Sequence, residues 1–404
     1  MRRISALLIV VAAVLTGCAD GKHKVLLPVD GTTAGTTRVD LLVATTRMRS
    51  TEPGEMFSGE RGHTMSFADI GVSIPPDSAR EVGQVQWPKG SAANPATEFA
   101  TVHANIVESA EAATLFRAAV KRQPSRRVLV FVHGYNTQFA DAVYGFAQFV
   151  HDSGTPAVPV LFTWPSRAKL LAYGYDRESA NFSRDALEGV LRALAANPDV
   201  KEVSVLAHSM GNWLTVEALR QMAIRKEGIP AKIRDVVLAA PDIDVDVFRR
   251  QIKVIGERRP NMTIFVSQDD KALEASRRVW QSSAQLGAID PEKEPLKGDL
   301  AKLGLTVINL TDVKSTDSLA HGKFASSPEV VRFIGNRLAS GTTIGSGGEG
   351  SGAASVGMLL TDVTSKAGQV AGAVITAPLA IVDPGSREAL GDAIGQVVGK
   401  DPAE

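Results

Sequence analysis

Ser209 sits in the run Ala207-His208-Ser209-Met210-Gly211, with a small residue two positions to either side. Before it, Glu202-Val203-Ser204-Val205-Leu206 reads as a buried strand, and after it Asn212 to Leu219 places apolar residues at helical spacing. A strand that turns sharply into a helix at such a serine is a nucleophile elbow. The turn strains the serine backbone, demands small neighbours and aims Oγ out of the sheet top. Gly211 meets that demand fully, Ala207 less completely. The same turn puts the backbone N–H of Met210 where an oxyanion would develop.

Hydrolysis by serine also needs a base, a carboxylate to orient it and a second oxyanion donor. The chain has seven histidines; His23, His63 and His103 come early, His151 falls at a helix end, and His208 is fixed beside the serine and should point elsewhere. His133-Gly134-Tyr135 ends a central strand, where His133 would brace the loop and Tyr135 N–H would be the second donor. His321, in a loop between the last strand and last helix, is then the base by position. The orienting acid is read as Asp270, just past the strand Met262 to Val266, with Asp269 turned away. Asp242 and Asp244, after the preceding strand, are the alternative acids, although Asp242 equally suits the cap of a helix beginning near Val245. Tyr135, Trp164 and Trp213, on or near loops at the sheet top, are candidates to wall an apolar acyl pocket, unless they belong to the core.

These residues need a scaffold of alternating strands and helices. Strands are expected at 127–132, 158–164, 202–206, 233–240, 262–266 and 305–310, with helices near 139–151, 181–195, 277–285 and 328–338. Upstream, the pattern gives a strand at 39–45, a polar loop to about Met65, a strand at 70–76, short β pieces at 82–87 and 99–107, and a helix at 111–122. Strand–helix repeats with apolar strands imply an α/β fold: a mostly parallel, doubly wound sheet with an N-terminal β extension.

The two ends read differently. Met1-Arg2-Arg3 precedes an apolar run, Ile4 to Leu15, that is too short to span a bilayer, and Leu15-Thr16-Gly17-Cys18 closes it. Cys18 is the only cysteine, so no disulfide forms within the chain. The stretch resembles the lipobox of bacterial lipoproteins. That resemblance implies a signal peptide over 1–17, lipidation of Cys18 and a membrane anchor on the non-cytoplasmic side of the cell envelope. Residues 18–38 read as a tether, 39–126 as a β-rich portion, 127–339 as the catalytic core, and 340–404 as a Gly/Ser linker followed by an Ala/Gly-rich tail. Basic and acidic residues balance at 44 each, which gives no reason to expect nucleic acid as a partner. Neither a zinc-type cluster nor a dinucleotide fingerprint is present in the pattern, so no metal or other cofactor is called for.

The chain order of serine, Asp and histidine resembles that of the α/β-hydrolase superfamily. Val130-Phe131-Val132-His133-Gly134-Tyr135-Asn136, Phe162-Thr163-Trp164-Pro165-Ser166 and Leu206-Ala207-His208-Ser209-Met210-Gly211 together resemble a family of bacterial α/β hydrolases of unknown function, as do Ala240-Pro241-Asp242-Ile243-Asp244 and Val266-Ser267-Gln268-Asp269-Asp270. The resemblance spans about residues 39 to 340 and implies the fold and serine-hydrolase chemistry, with no particular substrate. An esterase or related acyl hydrolase acting on a small-molecule or lipid ester is the leading expectation. A non-catalytic envelope scaffold that retains the fold is the alternative.

Overall fold

A computed structural model describes residues 25–29, 33–90, 92–225, 227–280, 284–294, 296–314, 319–340 and 354–355. The expectations for the signal peptide, Cys18, about half of the tether and nearly all of the linker and tail fall outside these residues. Among the described residues, no helix is long and apolar enough to cross a membrane.

The strands are β1 (Thr37–Arg49), β2 (Phe57–Ile74), β3 (Ala100–Val107), β4 (Arg127–Val132), β5 (Val158–Thr163), β6 (Glu202–His208), β7 (Ile233–Ala239), β8 (Asn261–Val266), β9 (Thr306–Asn309) and the two-residue β10 (Ala354–Ser355). They form one sheet in the order β10-β9-β8-β7-β6-β4-β5-β1-β2-β3. From β10 through β1 all neighbours run parallel, and β1–β2–β3 is an antiparallel extension at one edge.

Successive residues of a strand point to opposite faces, so a continuous apolar run feeds two cores at once. In β4, Val128, Val130 and Val132 enter one apolar cluster. Leu129 and Phe131 enter the other, among Phe139, Val143, Phe146 and Phe333. The helices Phe139–Ser153 and Pro328–Ser340 cover that second face, while Arg184–Ala196, Met210–Ile224 and Val245–Ile255 cover the first.

Four expectations need correction. The helix expected near 277–285 is Lys271–Trp280, and Gln285 instead forms an isolated bridge with Asp244. Most of the polar stretch read as a loop to about Met65 is strand: residues 46–49 continue β1, 57–65 are the first half of β2, an 18-residue strand that pairs along β1, and only 50–56 connect the two. Backbone pairing sets that half, so its half-exposed side chains leave no apolar alternation to read. The segment 82–87 contains no strand and is instead held by a buried ion pair: Arg80 donates to Asp152 Oδ1 at 2.6 Å, and Gly83 N–H donates to the other oxygen at 2.8 Å. The helix expected over 181–195 is two, Tyr173–Phe182 and Arg184–Ala196. They meet at the buried Ser183, whose Oγ lies 2.8 Å from Ser179 O and 2.7 Å from Thr46 Oγ1 of β1.

Candidate active site

At the end of β6 the chain turns into the helix Met210–Ile224 through Ser209, whose φ of 51° and ψ of −122° lie where a side-chain-bearing residue is strained. The strain is held from three sides. Ser209 N–H donates to Ala239 O at 3.0 Å. Asn212 Nδ2 donates both to Ser209 O at 3.0 Å and to Ala239 O at 2.8 Å. Close packing explains the small neighbours. A Cβ on Gly211 would press into the carbonyl oxygens of His133 and Val132, and one on Gly134 would come within 2.9 Å of Ser209 Cβ. Asn212, buried in the first turn of that helix, was not foreseen, because its partners are backbone carbonyls that nothing local in the sequence marks.

His321 Nδ1 lies 2.7 Å from Asp270 Oδ2. Asp270 is buried, and its other oxygen accepts from Leu273 N–H at 3.0 Å, capping the helix Lys271–Trp280. A carboxylate on Nδ1 fixes the proton there and leaves Nε2 of the neutral ring without one. The ring of His208, next to Ser209, sits 4.7 Å from that of His321 and 4.8 Å from Phe324. The sequence reading sent His208 away from this place. It packs here because β6 ends buried against the histidine loop, and burial holds its pKa well below the ordinary 6.5, with His321 adding to the effect.

The acid and histidine loops are also tied together behind the pair. Lys271 N–H donates to Leu319 O at 3.0 Å. Lys323 is buried, and its Nζ donates to both oxygens of Asp269 (2.8 and 2.9 Å), to Leu310 O (3.0 Å) and to Thr311 O (2.9 Å). Asp269 is thus held by Lys323, while Asp270 is the carboxylate on His321. Desolvation raises the Asp269 pKa, but hydrogen bonds from Lys323 and Ser267 outweigh that and lower it overall.

The alternative acids are engaged elsewhere. Asp242 is buried and accepts from Tyr173 Oη at 2.7 Å and Ser276 Oγ at 3.0 Å. Asp244, not Asp242, caps the helix Val245–Ile255 by accepting from Asp246 and Val247 N–H. Its position directly before the first helical residue is the reason.

The loop after β4 is braced from beneath. His133 is buried. Its Nε2 accepts from Trp164 N–H at 3.1 Å, so Nδ1 carries the proton and donates to Gly134 O at 2.8 Å. Burial, with Arg47 alongside, holds its pKa well below 6.5. Trp164, expected on a pocket wall, is fully buried, stacked on His133 at 4.9 Å and donating through Nε1 to His133 O at 2.8 Å. Its place at the end of a central strand puts it under the loop. Tyr135 and Trp213 are half-buried. The Tyr135 hydroxyl donates to Leu170 O and its ring meets Tyr173 at 5.2 Å, while Trp213 Nε1 donates to Asn181 Oδ1 at 2.7 Å under the Arg177 guanidinium. Among the described residues, no group of three or more His, Cys, Asp or Glu is placed to hold a metal ion.

A mostly parallel sheet covered on both faces, with a strained serine where a central strand becomes a helix, defines the α/β-hydrolase fold. The chain belongs to the family described as alpha/beta hydrolase of unknown function (DUF900), whose model matches residues 108–337. It is 29% identical over 143 residues to an uncharacterized protein of Nostoc sp., a match covering 29% of this chain and 37% of that one. The chain therefore spans little more than a third of that relative's length. It is also similar to a lipase-esterase related protein from Clostridium acetobutylicum (10% identity, TM-score 0.31, covering 53% of this chain and 95% of the other). A third similarity is to the siderophore hydrolase EstB from Aspergillus nidulans (13% identity, TM-score 0.32, covering 78% and 98%).

Proposed function

We propose that this hydrolase is a serine esterase or related acyl hydrolase in which Ser209, His321 and Asp270 act as a triad. The observation that carries the reading is the 2.7 Å contact between His321 Nδ1 and Asp270 Oδ2, with the His321 ring 4.7 Å from that of His208, the residue before Ser209 at φ 51°. Ser209 Oγ attacks the ester carbonyl as its proton passes to Nε2 of His321. Asp270 holds the ring in the required tautomer and stabilises the imidazolium. The N–H groups of Met210 and Tyr135 take the oxyanion. His321 then gives its proton to the departing alcohol, and water, deprotonated in the same way, releases the acid from the acyl-enzyme. Tyr135 and Trp213 are the proposed aromatic contacts of the acyl group. The chemistry needs no cofactor.

A fluorophosphonate probe should label the wild-type protein and leave Ser209→Ala unlabelled. A wild type that does not label would favour the scaffold reading instead. We place the protein at the bacterial envelope, anchored through lipidated Cys18. Radiolabelled palmitate should enter the wild type and not Cys18→Ser, and equal incorporation in both would defeat the anchor.

A further inference from the structure

Arg47 comes from β1, well outside the residues that the family model matches, yet its side chain ends beneath the loop that follows β4. It lies between two register shifts of the β1–β2 pairing, at Thr45/Arg47 and Arg47/Arg49. Such irregularities re-aim a side chain out of the regular ladder. The whole side chain is buried, with the residue 1% exposed. Its fork donates from Nη2 to Thr137 O at 2.7 Å, and from Nη1 to Ser166 O at 3.0 Å and Ser58 O at 3.2 Å. Nη2 also stands 3.4 Å from His133 Nε2.

Of these three carbonyls, that of Thr137 lies two residues beyond Tyr135 on the same loop, and that of Ser166 lies on the loop that follows β5. Thr137 N–H in turn donates to Ser166 Oγ at 3.1 Å, and Ser166 Oγ donates to the buried Asp176 at 2.5 Å. Asp176 also accepts from Asn136 N–H at 3.4 Å, and Asn136 has a φ of 55°. Both residues following Tyr135 are thus fixed by a network with a guanidinium at one end and a carboxylate at the other. Burying a cation this deeply is costly, and burial does lower the Arg47 pKa to about 10, which leaves it charged at neutral pH. A planar, five-donor group is what several carbonyls on separate loops require at once.

We propose that Arg47 is a positioning residue for the oxyanion loop, holding Tyr135 N–H on target through Thr137 O and Ser166 O. The proposal rests on the reading above that Tyr135 N–H stabilises the oxyanion. The N-terminal hairpin would then be part of the catalytic apparatus.

The full chain carrying Arg47→Ala or Arg47→Lys should be compared with wild type on p-nitrophenyl esters. Losing one oxyanion donor costs about 10²–10³ in kcat. The Ala variant should approach the lower end of that loss with KM within about threefold of wild type, and the Lys variant should lose less. Affinity for a trifluoromethyl ketone, whose tetrahedral adduct places an oxygen in the oxyanion position, should fall in step with kcat/KM. Guanidinium ion at non-denaturing concentration should restore at least about tenfold activity to Arg47→Ala by filling the vacated space, while the same concentration of urea should not. Should Arg47→Ala fail to fold, Arg47→Lys is decisive. A folded variant with wild-type kcat overturns the proposal, as does a loss expressed in KM alone, or an Ala variant deaf to guanidinium. A wild type unreactive toward fluorophosphonate would instead sink the triad reading on which it rests.

Discussion

The separation of Asp270 from Asp242 shows how a single hydrogen bond decides between similar side chains. Both are buried carboxylates just beyond a central strand, but only Asp270 reaches His321, while Asp242 is occupied by Tyr173 and Ser276. Asp270→Asn should therefore lower kcat by about 10⁴, as loss of the correct tautomer does in the worked triad. Asp242→Asn and Asp244→Asn should lose far less, and a dead Asp242→Asn beside an active Asp270→Asn would reverse the assignment. The strained turn at Ser209 and the meeting of His321 with Asp270 were legible because the elbow has a local pattern and the other two sit at fixed places after their strands. Arg47, Asn212 and Lys323 were not, because their partners are backbone carbonyls or residues brought near only by the fold. An arginine in a polar β stretch looks like surface, and nothing local reveals that it will be buried.

Among the elements, the turn after β8 and the loop after β9 work as a unit. The Lys323 ammonium binds the carboxylate of Asp269 and the carbonyls of Leu310 and Thr311, and its own segment begins two residues after the proposed base. Lys323→Met removes that tie and leaves Asp269 without its cation. Activity should fall about tenfold or more, with a smaller change in KM. The pH–rate profile should shift because the loops that carry His321 and Asp270 are held together less firmly, and Lys323→Arg should recover part of the loss. An unchanged profile would mean that the tie serves stability alone. The parallel core could be read from sequence because its strands are apolar on both faces, as Val128 to Val132 illustrate. The antiparallel edge was read less well, since the outer half of β2 pairs through backbone with half-exposed side chains.

Across the molecule, the two histidines that brace the site set a pH limit on the fold. Burial holds His133 and His208 well below the ordinary 6.5, so between their folded values and 6.5 the unfolded chain binds more protons than the folded one. Their stabilising contribution is complete above that window and is lost as pH falls through it. Asp176, raised by burial, acts in the opposite sense at the acid end. Urea midpoints should drop between pH 7.5 and 5.5 in the wild type, and the drop should be shallower in His208→Asn. Equal slopes would show that His208 is not the group responsible.

The carbonyl that Arg47 grips at Ser166 belongs to a residue 119 positions further along the chain. β1 likewise finds its parallel neighbour only when β5 exists, although it can pair with β2 as soon as both have emerged. Synthesis at about 5–20 residues per second makes that wait on the order of ten seconds. The hairpin is born first and docks late, and until it docks β5 presents an unpaired edge to its surroundings. A chain begun at the family-matched residues would keep that edge open permanently, and aggregation would be the expected cost.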